Sequence, residues 1–515
     1  MTFGTTPPLD WTWTWSWQNF VTAVTLCVVV SLWKLWVLLV RTCISMIAIA
    51  VDRGLRQVVP ASLRVHLGIA SLPRVSVDLL TDEDGSGRSD NAQAKLLARY
   101  LLPSTAVFSH VEQIGKVEYE VDKNATSFSA RFHYSNSSLS SSKPSSRYEY
   151  GKQLLSKDVF LKFQTGADFP LWLQAIRWAA EGEVLREVDF YDKIAPNVLI
   201  RVPKLYYLSK TPVSNTICLA MEYFPITSVS NDKDNESPVS TTKVKQKDDK
   251  DHNNKLEYYV FPDWKIDSSI FVEMILSNVA KLHVQYLHDP SSLQNRRPEA
   301  RWVPAQRGLD FCKWVKTIGP KDLTPFHEVF DAIDRYFSNK VVTVVHGDCR
   351  PGNMIFSGFR SSSSRTRILQ DVIFCDFEAV NVAPPMWDVA YALALGLPEE
   401  LHTTEEIQRL IELYRRRALD TLEAEGRTDV VLDSVEELYE QVQILHVHFF
   451  FYSYAVYSQG FWDDHGNSED DMRVWGERSH HTWSRIDCQK VSQVLEIDLV
   501  LMKNLRDKAM KSKKY

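Results

Sequence analysis

The chain has 515 residues, with 59 Lys+Arg against 65 Asp+Glu and a formal charge of −6. At about 100–200 residues per domain this allows two to four folding units, and 44% apolar with 24% charged residues excludes wholesale disorder and fibrous repeats. The acidic balance does not suit a protein that wraps nucleic acid; seven cysteines without a CxxC pair read as reduced thiols, not as a disulfide scaffold or a zinc site.

The first sixty residues stand apart in composition. Residues 20–40, FVTAVTLCVVVSLWKLWVLLV, are a run of 21 with Lys34 as the only charge. As a helix at 1.5 Å per residue the run would be about 31 Å long, the hydrocarbon thickness of a bilayer, with Lys34 near enough to one end to snorkel. Trp11, Trp13, Trp15 and Trp17 precede it, and Trp favours the membrane interface because its apolar ring carries one N–H that stays wet. A secretory signal would begin with positive charge, but residues 1–19 carry only Asp10, whereas Arg41, Arg53, Arg56 and Arg64 follow the run. This asymmetry predicts a single span, with the N-terminus outside and everything after it in the cytosol. The alternative is an amphipathic or buried apolar helix packed on a globular domain.

Residues 61–110 form a helical lead-in, clearest at NAQAKLLARYLL (91–102). VEYEV (117–121), FSARFHY (128–134) and VFLKF (159–163) alternate as strands do. The serine-rich stretch 136–147 reads as a solvated loop. EGEVLREVDFYDKI (181–194) is an amphipathic helix that Pro196 stops, and strands follow at YYL (206–208) and ICLAMEYF (217–224). Residues 228–256 are charged and nearly free of large apolar groups, so they are expected to be disordered. Beyond them helices dominate, at 267–288, 403–424, 433–459 and 488–510, interrupted by one mixed block at 341–378. Strands first and helices afterwards predict a two-lobed α+β architecture.

The mixed block carries the chemistry. The apolar strand VVTVV delivers His346, Gly347 and Asp348; Asn353 lies five residues past that Asp, and the strand VIFC ends at Asp376, Phe377 and Glu378. Carboxylates at strand ends around a Pro-Gly loop can converge on one point, and Asn353 can share a metal with Asp376. Phosphoryl transfer needs such a set: a carboxylate to receive the attacking hydroxyl's proton, and oxygen ligands for Mg²⁺.

HGD-x-x-x-x-N followed by D-F-E resembles the catalytic and metal loops of the aminoglycoside phosphotransferase and choline kinase superfamily, relatives of protein kinases. REVDFYDKIAP (186–196), HGDCRPGNMIF and PPMWDVAYAL (384–393) resemble its ecdysteroid kinase-like branch. The resemblance covers about residues 90–460. It implies a protein-kinase-like fold, ATP and Mg²⁺ as cofactors, and an alcohol as phosphate acceptor. It makes Asp348 the catalytic base, Asn353 and Asp376 the Mg²⁺ ligands, Arg350 a cation beside the transferred phosphoryl group, His346 a packing residue of the loop and Asp388 a structural anchor. Glu378 stands where a protein kinase has glycine, which argues against a protein substrate.

A kinase-like fold also needs a strand lysine on the α/β-phosphates and a helix glutamate to hold it. Lys162, inside VFLKF, fits the first; Glu187 fits the second, with Glu183 one turn earlier as runner-up on the same helix face. No GxGxxG occurs. Instead DKNATSFSARF (122–132) would cover the phosphates, offering donors from Asn124, Thr126 and Ser127. Met221 and Tyr223 mark the hinge that would meet the adenine edge.

On the acceptor side the candidates are His446, His448, Phe449, Tyr452, Tyr454 and Tyr457, then FWDDHG (461–466) and WGERSHHTW (475–483). Asp463 and Asp464 beside Trp462 would receive a cationic amine; equally, HVHFFFYSYAVY is an aromatic core helix. The domain plan is an N-terminal segment with the membrane helix (1–60), the lead-in (61–110), an N-lobe (111–227), an insert (228–257), a C-lobe (258–500) and a basic tail (501–515). The function that follows is phosphorylation of a small or lipid-like alcohol by a membrane-tethered, cytosol-facing kinase, with nucleotide, acceptor and membrane as partners and no nucleic acid. The rivals are a choline-type amino-alcohol kinase and a tethered pseudokinase.

Overall fold

The computed structural model describes residues 32, 36, 43, 88–89, 92–104, 106–120, 125–136, 155–165, 184–211, 216–227, 239–240, 256–261, 266–287, 324–360, 367–428, 430–457 and 469–511. Two compact units divide the chain. One comprises Met1–Pro73, Thr165–Gly182 and Lys210–Thr216, of which little beyond Leu32, Trp36 and Cys43, all helical, is described. The expected membrane helix at 20–40 falls outside the described residues except for Leu32 and Trp36, and among the described residues no helix is long and apolar enough to cross a membrane. Everything below belongs to the second unit, Arg74–Gln164, Glu183–Ser209 and Ile217–Tyr515, apart from the ends of three strands.

The β-rich part begins with β1 (Arg88–Ser89), helix α1 (Ala92–Leu101), β2 (Ala106–Glu120), β3 (Ala125–Asn136) and β4 (Leu155–Thr165). After helix α2 (Val184–Asp189) come β5 (Leu205–Thr211) and β6 (Thr216–Glu222), and the sheet order is β1-β2-β3-β4-β6-β5. Period-two alternation gives this sheet two unlike faces. Val111, Ala130, Phe132, Val159 and Leu161 are buried, on the side where Lys157 Nζ donates to the last carbonyl of α1, Leu101 O, at 2.7 Å. The other face carries polar rows of cross-strand partners: His110 with His133, Glu112 with Arg131 and Asp158, Ser129 with Phe160, and Ser127 with Lys162.

Chain 223–227 leads from β6 to a second sheet, where Thr227 N–H donates to Tyr258 O at 2.8 Å. That sheet has the order β7-β11-β10-β8, built from β7 (Val239–Ser240), β8 (Glu257–Tyr259), β10 (Met354–Arg360) and β11 (Arg367–Phe374). β9 (Thr343–Val345) pairs separately with β12 (Asn381–Ala383). Helices surround these hairpins: α3 (Ile270–Gln285), α4 (Thr324–Phe337), α5 (Met386–Gly396), α6 (Thr404–Ala424), α7 (Val435–Tyr457), α8 (Glu469–Ser484), α9 (Cys488–Leu495) and α10 (Leu499–Lys511). Thr403 caps α6 by accepting from Glu406 N–H, the capping-box spacing.

Three expectations need correcting. The insert is not structureless throughout, since Val239–Ser240 extend the edge of β11 in parallel and so satisfy their backbone groups; its remaining residues up to 255 lie outside the described ones. The helix expected at 488–510 breaks at Glu496, which adopts a left-handed φ of 56°; Ile497 N–H then closes back on Ser492 O at 3.0 Å, a cap made without glycine. Of the helix expected at 181–194, the described residues are α-helical over α2 and widen into a π turn at Phe190–Ile194, while 181–183 lie outside them. That widening turns Phe190 and Tyr191 toward Phe377, as single π turns at functional sites tend to do.

Candidate active site

The loop 346–353 is held by the side chain of one buried acidic residue. Asp388, on the first turn of α5, is fully buried. Its Oδ2 accepts His346 N–H at 2.7 Å and its Oδ1 accepts Gly347 N–H at 2.9 Å, while Trp387 Nε1 donates to Gly347 O at 3.0 Å. His283 on α3 completes the set, with Nε2 3.1 Å from Asp388 Oδ2 and Nδ1 2.8 Å from Tyr414 OH. Gly347 has φ +88°, and a Cβ there would stand 2.0 Å from Ala379 O, so the turn requires glycine twice over.

His346 ties the two loops together. Its Nδ1 accepts Asp348 N–H at 3.3 Å, which puts the ring hydrogen on Nε2, 2.8 Å from Cys375 O. Cys375 N–H in turn donates to Asn353 O at 3.1 Å. The residue before Asp376 is thus pinned between the first and last residues of the catalytic loop. Asp376 itself takes a left-handed φ of 58°, a costly conformation for a residue other than glycine. Phe377 is buried and stacks on Phe190 with ring centroids 3.6 Å apart, which couples the turn at 376–378 to the helix bearing Glu187.

Two clusters result. In the first, Asn353 Nδ2 donates to Asp348 Oδ2 at 2.7 Å and to Asp348 O at 3.0 Å. The amide nitrogen is thereby committed to Asp348, and Asn353 Oδ1 is the atom of the amide that can act as a ligand. Asp348 Oδ1 is buried without a hydrogen bond. Arg350 Nε lies 3.5 Å from it, near enough to lend charge but not aligned as a donor. In the second, Lys162 Nζ donates to Glu187 Oε2 at 2.8 Å and lies 3.5 Å from Asp376 Oδ1. Burial alone would lower the pKa of Lys162, but Glu187, Asp376 and Glu378 outweigh it and hold the ammonium well above its ordinary value. Glu183 lies outside the described residues.

The remaining expectations fare unevenly. Thr126 and Ser127 sit on β3, not in a loop: Ser127 is the register partner of Lys162, Thr126 that of Phe163, and Asn124 lies outside the described residues. Met221 is buried near the end of β6, the strand beside β4, and Tyr223 begins the crossing to the second sheet. His446, His448 and Phe449 are buried core residues of α7; His446 Nε2 is 3.1 Å from Ala390 O, and burial pushes its pKa down to about 4. The side chains of Tyr452, Tyr454 and Tyr457 and the whole of 461–466 lie outside the described residues. Sequence reasoning passed over His283, Tyr414 and Trp387, which anchor the loop from three different helices or turns; only Trp387, next to Asp388, had a local signal.

Asn353, held against Asp348, offers an amide oxygen and Asp376 a carboxylate, hard oxygen ligands of the kind that suits Mg²⁺, so the chemistry of these residues fits the ion.

No curated protein sequence matches this chain. Among solved structures, the ethanolamine kinase of Plasmodium vivax is 12% identical, with 77% of this chain and 87% of that one covered and a TM-score of 0.40. The choline kinase of Streptococcus pneumoniae is also 12% identical, over 76% of this chain and all of that one, at a TM-score of 0.38. A macrolide 2'-phosphotransferase from Brachybacterium faecium is 13% identical, over 75% and 97%, at 0.35. Residues 318–426, which hold Asp348, Asn353, Asp376 and Asp388, match the family model of the ecdysteroid kinase-like family, the branch that the sequence motifs resemble.

Proposed function

We propose that this protein transfers the γ-phosphoryl group of ATP, with a divalent ion, to a hydroxyl of a small molecule. The observation that carries the proposal is Lys162 Nζ, a buried cation 2.8 Å from Glu187 and 3.5 Å from Asp376, set in the same unit as an Asp348 oxygen without a donor. The acceptor oxygen forms its bond to the γ-phosphorus as the bond from that phosphorus to ADP breaks. Asp348 takes the hydroxyl proton. Lys162 orients the α/β-phosphates, Glu187 fixes the lysine, and Arg350 offsets charge on the moving phosphoryl group. Asn353 and Asp376 would hold Mg²⁺, which when bound neutralises phosphate charge. Met221 and Tyr223 shape the adenine pocket, and the Ser127 hydroxyl stands next to Lys162 on the phosphate side.

The proposal extends to a membrane anchor at 20–40, a cytosolic catalytic part and an apolar or lipid-like alcohol drawn from the bilayer; the 21-residue apolar run and the arginines that follow it support this. Retention of the full chain in membranes after alkaline carbonate washing checks the anchor, and release refutes it.

The test of function is a screen of metabolite extracts for newly phosphorylated species, with wild type beside Asp348→Ala. New phosphate esters are expected with wild type only, with turnover at least about a thousandfold lower in the variant. ATP consumption that needs no acceptor and survives the substitution would overturn the assignment of Asp348.

A further inference from the structure

A second group of ligand atoms lies on the same face of the same sheet, farther along the strands from Lys162. His110, Glu112 and His133 each present one ligand atom, and the three lie within 4.8 Å of one another. Their convergence is built by the strands. His110 and Glu112 are two apart on β2 and so share a face. Phe108 pairs with Tyr134 and His110 with His133, so Ser109 is an extra residue in β2. The bulge lies just before the cluster, and His110–His133 runs in regular register with Val111–Phe132 and Glu112–Arg131. The two imidazoles stack at 4.3 Å between centroids, with planes 15° apart.

The contacts are those of ligands facing a common point. His133 Nε2 stands 3.0 Å from Glu112 Oε1, yet it is buried and makes no aligned hydrogen bond. Two ligand atoms at about 2.0–2.1 Å from a tetrahedral ion are about 3.3 Å apart, close to this spacing. Ser109 Oγ is 3.0 Å from His110 Nδ1, an outer partner of the kind that fixes a ligating ring and leaves Nε2 for the ion. The nearest cation, Arg131, has Nη1 3.8 Å from Glu112 Oε1, but Asp158 holds its Nε at 2.7 Å and its Nη2 at 2.9 Å and so offsets its charge. All three residues are partly exposed, which leaves room for a water as fourth ligand.

We infer that His110, Glu112 and His133 bind a divalent transition ion of the zinc type, which clips β2 to β3. Two nitrogens and one carboxylate suit zinc and not Mg²⁺. The site is separate from the Lys162 site along the strand: His133 lies six positions along β3 from Ser127, the partner of Lys162, about 20 Å of extended strand.

The test uses the full chain, stripped with chelator and titrated with Zn²⁺ alone or Mg²⁺ alone, followed by calorimetry and thermal melting. Zn²⁺ is expected to bind saturably and to raise Tm by about 5 °C at a hundredfold excess over Kd, whereas Mg²⁺ does not bind this site. His133→Asn and Glu112→Gln should each remove one Zn²⁺ equivalent or weaken it at least about tenfold, with metal-free Tm close to wild type. Glu112→Gln, at the more exposed position, carries the test if His133→Asn does not fold. Zn²⁺ binding equal in wild type and both variants, or no saturable binding in wild type, overturns the site.

Discussion

Two regions of this protein bury ionisable side chains, and they treat them in opposite ways. Around the catalytic loop, Lys162 is buried among Glu187, Asp376 and Glu378, and their charges hold it protonated against the cost of burial. Between α5, α7 and α8, His402 and His446 are buried too, but burial dominates: it pushes His402 down to about 3, with His446 and His481 adding to the effect, and His446 down to about 4. Burial is therefore shared and does not mark function. What separates the regions is opposite charge at contact distance, which keeps a buried group ionised and able to meet a charged ligand. The histidines, by contrast, bond to main chain and hydroxyl groups, His446 to Ala390 O and His402 to Leu393 O and Thr482; they belong to a core.

The contrast breaks first, and hardest, at Lys162. Lys162→Ala removes the cation and leaves Glu187 buried without it, so kcat/KM should fall by about 10²–10³. Because the two side chains act as a pair, Glu187→Ala added to Lys162→Ala should cost little more, and steady-state kinetics on the double-mutant cycle would show strong coupling. Fully additive losses would mean that the 2.8 Å contact does not organise the nucleotide side.

Asp388 sharpens the comparison from within the first region, because it is an acidic residue, wholly buried, whose two oxygens face backbone. Its two oxygens receive two backbone N–H groups, and His283 stands beside one of them. Asp388→Asn turns one acceptor into a donor that confronts another N–H. Denaturant melts should show a loss of about 3 kcal/mol, and kcat should fall with the loop geometry while KM for ATP changes little. A variant with full stability and normal kcat would remove Asp388 from its anchoring role.

These residues also show how much could be read from sequence. The block 341–378 was legible because its signal is local: polar groups at the ends of apolar strands, with short fixed spacings. Lys162 was legible as a lone charge inside an apolar strand, whereas Glu187 needed family order to be preferred over Glu183. Thr126 and Ser127 read as a loop because both faces of β3 begin with small polar groups there, so the alternation that announces a strand is weak. His283 and Tyr414 had no signal at all; their part depends on α3 and α6 meeting α5, a tertiary fact about residues more than a hundred positions apart. The break at Glu496 was missed for a related reason, since a left-handed cap usually announces itself through glycine or asparagine.

The smallest expected effect tests the histidine region directly. His402 and His446 have folded pKa values of about 3 and about 4, against an ordinary 6.5. Above pH 6.5 neither state binds these protons, and the stability tied to the unprotonated rings is fully present. As pH falls below 6.5 the unfolded chain takes up protons that the folded one refuses, and stability is lost at about 1.4 kcal/mol per pH unit for each ring. The loss through His446 ends near pH 4 and that through His402 near pH 3, where the folded rings protonate as well. His446→Gln keeps a donor for Ala390 O and removes one of the two titrations. The slope of unfolding free energy between pH 6.5 and 4 should therefore drop by about one proton relative to wild type, with phosphate transfer at pH 7.5 unchanged. An unaltered slope would show that His446 keeps an ordinary pKa inside the core, and that burial without opposite charge does not neutralise a group here as it does in the comparison above.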